Sequence, residues 1–195
     1  MLNERRLPRS AGFTLLETMI ALGVAVVGLG IVGNILVSSV GAVDQIMVDT
    51  SVEQDLKRGV SRLLRELGTS STATIAIDTS NSSYDMATFQ TPGTYSGSVT
   101  WGAIDTAGVW QSGWTVRYTV SSGTLVRRVL NGSGTQVGAD ETLVRTVDAV
   151  SGGVKGFRVT PNGPLYNVSV RVRKTFRDSK DYTKDFTSTV LVKNS

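Results

Sequence analysis

The sequence is marked by one long apolar run near its amino terminus. Residues 13–43 contain a single charged side chain, that of Glu17, and Arg5, Arg6 and Arg9 precede them. A helix of about 20 apolar residues is enough to cross a bilayer core of about 30 Å. The pattern therefore predicts a membrane-spanning helix with length to spare. The preceding arginines predict a cytoplasmic amino terminus and an extracytoplasmic remainder.

A second pattern, of apolar residues at helical spacing, follows the run. It predicts that the helix continues to Leu67, with Gly68 as its stop, and that one apolar stripe packs against a head domain. The stripe consists of Val52, Leu56, Val60, Leu63 and Leu67. Glu53 and Lys57 have the spacing of an exposed ion pair. The other charged residues of this stretch are expected to be solvated: Asp55, Arg58, Arg62, Arg65 and Glu66.

Beyond Gly68 the pattern changes from helical to alternating. Residues 69–98 are rich in Ser, Thr and Gly, and we expect a surface loop with one short strand at most. Residues 114–120 and Thr124–Leu130 predict a β-hairpin, followed by a turn at residues 131–134. Further strands are expected over residues 141–147, 154–159, 167–173 and 184–193. The predicted fold class is α+β, a long amino-terminal helix packed on an antiparallel sheet.

Composition removes most catalytic chemistry from consideration. The chain has 195 residues and contains neither cysteine nor histidine. A disulfide framework, a thiolate nucleophile and a histidine base are therefore excluded, and no motif marks a catalytic site of another kind. We expect no enzyme activity, no cofactor and no metal site. The formal net charge of +4 is explained by solubility without a nucleic-acid partner.

Three interpretations of the apolar run compete. A cleaved secretory signal could end near Val40, Gly41 and Ala42, but its apolar region would normally be about 7–15 residues long, roughly half of this one. A permanent signal anchor fits the length but gives no reason for Glu17, because a lone carboxylate in an apolar span is unfavourable without a partner. The third interpretation supplies such a partner.

The residues Gly12-Phe13-Thr14-Leu15-Leu16-Glu17, after a short basic leader, resemble the processing motif of type IV prepilins. The resemblance covers roughly the first 45 residues. It implies that a prepilin peptidase/methylase cuts after Gly12 and methylates the new amine of Phe13. It also implies that Glu17 is an assembly residue, which pairs with the Phe13 amine of a neighbouring subunit and sets the register between them. The other implied partners are further pilin or pseudopilin subunits and an inner-membrane assembly platform.

The resemblance also implies a domain organisation. Residues 1–12 are the cleaved leader, 13–43 the transmembrane and filament-core helix, 44–68 its amphipathic continuation, and 69–195 the β-rich head. The head lies outside the cytoplasmic membrane, first as part of a single-pass subunit and then in a pilus or pseudopilus. The expected role is structural, initiating or capping the filament.

Two departures from the family favour a minor subunit over a major one. The apolar run lacks the proline that major pilins often carry, and without cysteine the head cannot close a disulfide-bonded loop. The glycines around Gly28-Leu29-Gly30 either unwind in a packed filament or allow close helix approach. The stretch 63–67 (LLREL) and a terminal strand like FTSTVLVKN are similar to minor pseudopilins of type II secretion (the J class) and to related minor pilins.

Two further hypotheses concern the head. A DNA-binding pilin would need a basic patch, for which the candidates are Arg127, Arg128, Arg171, Arg173, Lys174 and Arg177. An ordinary solvated sheet face is the favoured interpretation of these residues. Asp78, Asn81 and Asp85 could offer oxygen atoms to calcium, but they lack the spacing of a calcium loop, so a polar loop is favoured.

Overall fold

The computed structural model describes residues 14–95, 98–149, 153–175 and 181–193. The chain divides into two units, one ending at Asp49 and one beginning at Thr50. One long helix, α1, covers Leu15–Thr69 and contributes to both. A 3-10 turn follows at Thr72–Thr74. The strands of the described residues are β1 (Ala76–Asp78), β2 (Met86–Phe89), β3 (Thr91–Tyr95), β4 (Ser98–Ile104), β5 (Trp110–Ser112), β6 (Thr115–Ser121), β7 (Thr124–Leu130), β8 (Gln136–Val144), β9 (Phe157–Asn162), β10 (Leu165–Thr175) and β11 (Asp181–Leu191).

The strands of the second unit form three antiparallel sheets. Their orders are β1-β2-β6-β7-β8, β11-β10-β9 and β3-β4-β5. Two isolated β-bridges connect residues next to the five-stranded sheet with the sheet β11-β10-β9: Val147 bridges Val172, and Tyr84 bridges Phe157. With a long helix and antiparallel sheets, the chain has the predicted α+β fold, consistent with that of pilin-like proteins.

The stripe predicted on the second half of α1 is buried. Leu56 is 2% exposed and Val60 is fully buried, and so are the other members of the stripe apart from a trace of exposure at Val52. Burial of each large apolar side chain contributes roughly 1.5–3 kcal/mol. The residues that fill the head core with them come from β6, β7 and β10: Val116, Val129, Val168, Val170 and Val172. This stripe is what attaches residues 50–69 to the sheets.

One glycine lets the helix approach the sheet closely. A Cβ atom added at Gly59 would lie 2.7 Å from the carbonyl oxygen of Leu143 and 2.7 Å from Val144 Cγ2. Such distances are shorter than van der Waals contact, so only glycine fits at this point of α1 without a shift. Gly59 therefore fixes where the helix crosses β8.

The prediction of a surface loop over residues 69–98 is wrong. This stretch contains β1, β2, β3 and part of β4. Ala87 and Phe89 of β2 are fully buried, and the Phe89 ring stacks on Tyr118 of β6 with a centroid distance of 5.6 Å. With only four residues, β2 is too short to give a clear alternating pattern, and its pairing with β6 decides its conformation.

The predicted hairpin is confirmed: β6 and β7 pair antiparallel from Thr115–Leu130 to Ser121–Thr124. The alternation in β10 is also confirmed, with Val168, Val170 and Val172 buried. β8 begins at Gln136, five residues before the start of the strand predicted over residues 141–147. Its pairing with β7 shifts register twice. A β-bulge adds residues that simple alternation cannot anticipate.

Candidate functional site

The residues singled out at the amino terminus lie at the start of α1. Gly12 and Phe13 lie outside the described residues, which begin at Thr14. Glu17 is in the first turn of the helix. Thr14 and Glu17 are both exposed. The described part of the site is therefore the start of α1.

Thr14 and Glu17 form a reciprocal cap. The backbone N–H of Thr14 donates to Glu17 Oε2 at 2.9 Å, and the backbone N–H of Glu17 donates to Thr14 Oγ1 at 3.2 Å. The Thr14 hydroxyl also donates to Glu17 Oε2 at 3.1 Å. Two of the amide groups that a helix start leaves unpaired are thereby satisfied. The negative charge also lies where the helix dipole stabilises it.

This cap was missed by the sequence reasoning, although its signal is present. Thr14-x-x-Glu17 has the spacing of a capping box directly before an apolar run. The resemblance implies a charge partner for Glu17 on a neighbouring subunit, the Phe13 amine. In the structure Glu17 Oε2 also accepts hydrogen bonds within its own turn, and no hydrogen bond to Oε1 occurs among the described residues. A cationic neighbour would therefore find one oxygen of Glu17 still available.

The apolar run is exposed along its whole length. Residues Leu15–Val43 form 29 residues of helix that are long and apolar enough to cross a membrane, and none of that span is buried within the chain. Leu15 is 82% exposed and Leu29 is 72% exposed. Large apolar side chains without a partner in their own chain require an apolar surrounding from elsewhere. This stretch fits membrane anchoring.

The glycines of the run leave open space around the helix. α1 passes through Gly28, Gly30 and Gly33 without interruption. Apart from the nearby backbone of α1 itself and the adjoining residues, no atom of the described residues lies within 4 Å of a Cβ added at any of these positions. A neighbouring helix could thus approach closely here, and both interpretations of the Gly28-Leu29-Gly30 stretch stay open.

A buried polar network joins α1 to the five-stranded sheet. Glu66 Oε2 accepts hydrogen bonds from Tyr118 Oη at 2.8 Å and from Arg127 Nε at 3.1 Å. The side chain of Arg127 is 1% exposed, and its Nη2 donates to the Ile104 carbonyl at 2.9 Å. Burial, with the adjacent Glu66, raises the pKa of Tyr118 well above its ordinary value. This tyrosine therefore acts as a neutral hydrogen-bond donor.

The network corrects an expectation about the helix surface. Arg62 and Glu66 were expected to be solvated, but both belong to the network. Arg62 Nε pairs with Glu66 Oε1 at 3.1 Å, and Arg62 also pairs with Glu141 of β8. Asp55, Arg58 and Arg65 are exposed as expected. Glu53 and Lys57 make the predicted pair at 3.7 Å.

The arginines of the candidate DNA-binding patch that the structure describes are buried or paired with carboxylates. Arg127 is buried, Arg128 pairs with Asp140 at 2.8 Å, and Arg171 pairs with Asp185 at 2.6 Å. Arg173 pairs with Asp181. Arg177 lies outside the described residues. Carboxylates pair with the four candidate arginines that the structure describes, so these four do not form a row of free cations.

The three residues considered for calcium have hydrogen-bond partners within the chain. Asp78 Oδ1 accepts from the Ser80 N–H at 2.9 Å, and Asn81 Oδ1 accepts from the Ser83 N–H at 2.7 Å, as in ordinary turns. Asp85 is buried and holds Lys155 Nζ at 2.6 Å. Within the described residues no group of three Asp or Glu side chains is placed to hold a metal ion.

Comparison with known proteins bears on the amino terminus. Residues 7–33 match the family model described as the prokaryotic N-terminal methylation motif. No curated protein and no solved structure matches the chain. The matched stretch contains the reciprocal cap and about the first two thirds of the apolar run. It supports a type IV pilin-like subunit that a prepilin peptidase processes and that assembles with other pilins.

Proposed function

We propose that the chain is a minor pilin or pseudopilin, a structural subunit that initiates or caps a type IV pilus or a type II secretion pseudopilus. The observation that carries the proposal is the methylation motif at residues 7–33. Residues 1–12 are the leader, cut after Gly12, and Phe13 becomes the methylated amino terminus. Residues 13–43 anchor the subunit once in the bacterial inner membrane, with the amino terminus cytoplasmic. Residues 44–68 continue the helix, and residues 69–195 form the extracytoplasmic head.

The chemistry of assembly follows from charge pairing. Cleavage creates a positive amine on Phe13, one turn before Glu17 and in an apolar setting. In a filament, the Glu17 carboxylate of one subunit meets the Phe13 amine of the next, so that neither charge is buried alone. A buried pair that loses one partner is unfavourable by about 3–5 kcal/mol, which makes the pair a register cue. The cap survives cleavage, because the Thr14 N–H lies beyond the cut bond.

Processing is the first test of the proposal. The mature protein from its native host is expected to begin at Phe13 and to carry one additional methyl group on its amine. Intact-mass and peptide mass spectrometry measure this directly. Substitution Gly12→Leu should leave the precursor uncut, because a side chain obstructs close approach to the backbone. An intact Met1, or a terminus near Val43, contradicts the proposal and favours a plain anchor or a secretory signal.

The role of Glu17 is tested by separating its charge from its cap. Glu17→Gln keeps an oxygen that caps the helix but removes the charge, whereas Thr14→Ala keeps the charge and removes the hydroxyl cap. We expect Glu17→Gln and Glu17→Leu to lower recovery with sheared filaments at equal membrane abundance, with cleavage largely retained. Recovery of Thr14→Ala with sheared filaments should fall less than recovery of the Glu17 variants. Equal recovery of wild type and Glu17→Gln would show that the charge has no assembly role.

A further inference from the structure

The apolar run contains one amide side chain, that of Asn34. Asn34 lies five residues after Leu29, the middle of the span Leu15–Val43, which is about 8 Å along the helix axis. A bilayer core extends about 15 Å to either side of its centre, so Asn34 lies within the hydrocarbon when the span crosses a membrane. An amide without a hydrogen-bond partner is unfavourable in such surroundings.

The helix itself does not satisfy the Asn34 amide. The Ser39 hydroxyl donates to the Ile35 carbonyl at 2.7 Å, and the Thr18 hydroxyl donates to the Thr14 carbonyl at 3.2 Å. These two polar groups are therefore paired within their own turns. In the part of the chain that the structure describes, no hydrogen bond reaches the Asn34 side chain, which is exposed. Asn34 thus needs a partner from another molecule.

Asn34 belongs to a seam with the spacing of a two-stranded coiled coil. Residues at alternating steps of four and three positions lie on one side of a helix and can pack against a second helix. This seam consists of Gly23, Val27, Gly30, Asn34, Val37 and Gly41. All six are exposed, and beyond the nearby backbone of α1 and the adjoining residues, no described atom lies within 4 Å of a Cβ added at its glycines. Small residues beside the amide let a second backbone come close enough for a hydrogen bond across the seam.

We propose that Asn34 joins two copies of this chain through a parallel pair of their membrane-spanning helices. The amide is self-complementary, because each side chain offers a carbonyl acceptor and N–H donors to the other. Both copies insert with the same orientation, so the two Asn34 side chains lie at the same depth. A single asparagine on such a seam fixes the register and the number of helices, and this points to a second copy as the occupant. The inference rests on the proposed function for the membrane crossing.

The level pair differs from the arrangement proposed for the filament. Two identical helices side by side make a closed two-fold contact, whereas a helical filament is built from heterologous contacts between displaced subunits. Pairing of the Phe13 amine with Glu17 of the next subunit displaces the helices by about 5 Å, one helical turn. That displacement takes the two Asn34 amides out of hydrogen-bond reach of each other. The dimer is therefore a membrane form of the subunit that separates before assembly.

Cysteine cross-linking tests the seam, because the chain has no cysteine of its own. Val27→Cys places a thiol on the seam, whereas Val32→Cys makes the same chemical change about 160° around the axis from Asn34. Each full-length variant is expressed as two differently tagged copies and oxidised in native membranes, and the disulfide-linked product with both tags is measured. A disulfide requires Cα atoms within about 7 Å, so Val32→Cys should give at most about a tenth of the product of Val27→Cys.

Substitution of Asn34 tests the amide. In the Val27→Cys chain, Asn34→Leu should lower the cross-linked product at least about threefold, as for loss of hydrogen bonds between membrane helices. Asn34→Gln keeps an amide and should retain most of the product. In the chain without cysteine, recovery of Asn34→Leu with sheared filaments, at equal membrane abundance, should equal that of wild type.

The outcomes separate this inference from the proposed function. Equal cross-linking of Val27→Cys and Val32→Cys, or of Val27→Cys with and without Asn34→Leu, overturns the dimer while the proposed function stands. A fall in filament recovery of Asn34→Leu as large as its fall in cross-linking also overturns the inference, since the amide then serves the filament. Asn34-dependent cross-linking of a chain that is never recovered with filaments contradicts the proposed function and supports the dimer.

Discussion

Two stretches of one helix use their apolar residues in opposite ways. In residues 15–43 the large apolar side chains are all exposed, and the span has no buried residue. In residues 50–69 the stripe from Val52 to Leu67 lies on one side of the helix, and every member of that stripe is buried against the sheets. The two stretches share a backbone conformation but differ in what covers them.

The difference teaches where each stretch finds its partner. An amphipathic stripe has a polar reverse side and needs one apolar surface, which the head supplies. A helix that is apolar all round needs apolar surroundings on every side, which the head cannot supply. The two glutamates follow the same division. Glu66 finds Tyr118 and Arg127 within its own unit, whereas Glu17 finds only the cap of its own turn among the described residues.

The largest expected difference between the two regions comes from substituting Glu66. Glu66→Ala leaves the Arg127 guanidinium buried with Glu141, 3.7 Å away, as its nearest remaining carboxylate. We expect a loss of about 3–5 kcal/mol in the free energy of unfolding of the head. Urea unfolding of the full chain in detergent, followed by tryptophan fluorescence, measures this loss. Glu17→Ala is the matched variant and should leave the head transition unchanged. A similar midpoint for both variants would remove the distinction between the two glutamates.

Leucine substitutions sharpen the comparison along the helix. Leu63 is fully buried, so Leu63→Ala should cost about 2–5 kcal/mol of head stability through lost burial and a cavity. Leu29→Ala, the same chemical change in the exposed stretch, should leave the unfolding midpoint of the head unchanged. The unfolding midpoint in urea distinguishes them. Near-zero destabilisation by Leu63→Ala would mean that the stripe does not hold the helix on the head.

The smallest expected effect is one of pH and is confined to the head. The hydrogen bond from Arg128, with its positive charge, lowers the pKa of Asp140 below its ordinary value of 3.8. A carboxyl whose pKa is lowered by folding stabilises the fold above that ordinary value, and this contribution is lost as pH falls through the lowered pKa. Head stability should therefore fall below about pH 4, with a shallower slope in Asp140→Asn. An identical acid slope for both proteins would contradict this role of the pair.

The sequence predicted features that repeat and missed features that depend on distant pairing. The apolar run and the stripe from Val52 to Leu67 each repeat over several turns, so periodicity alone locates them. β2 is four residues long, and its conformation depends on pairing with β6, which is distant in sequence. Arg127 looked like a surface cation, because no local pattern shows that Glu66 meets it across 61 residues. Gly12 and Phe13 lie outside the described residues, so their roles stay predictions.

The close approach at Gly59 restricts the rotation of the helix about its own axis. Successive residues of an α-helix are separated by about 100° around the axis, so turning residues 50–69 to bring Arg58 or Val60 over Leu143 would place a Cβ atom against a carbonyl oxygen. Only the azimuth that places Gly59 over Leu143 avoids this contact. With that azimuth set, Arg58 and Arg65, seven positions apart, point away from the sheets together. A residue with no side chain thereby determines which charges the head presents to its neighbours.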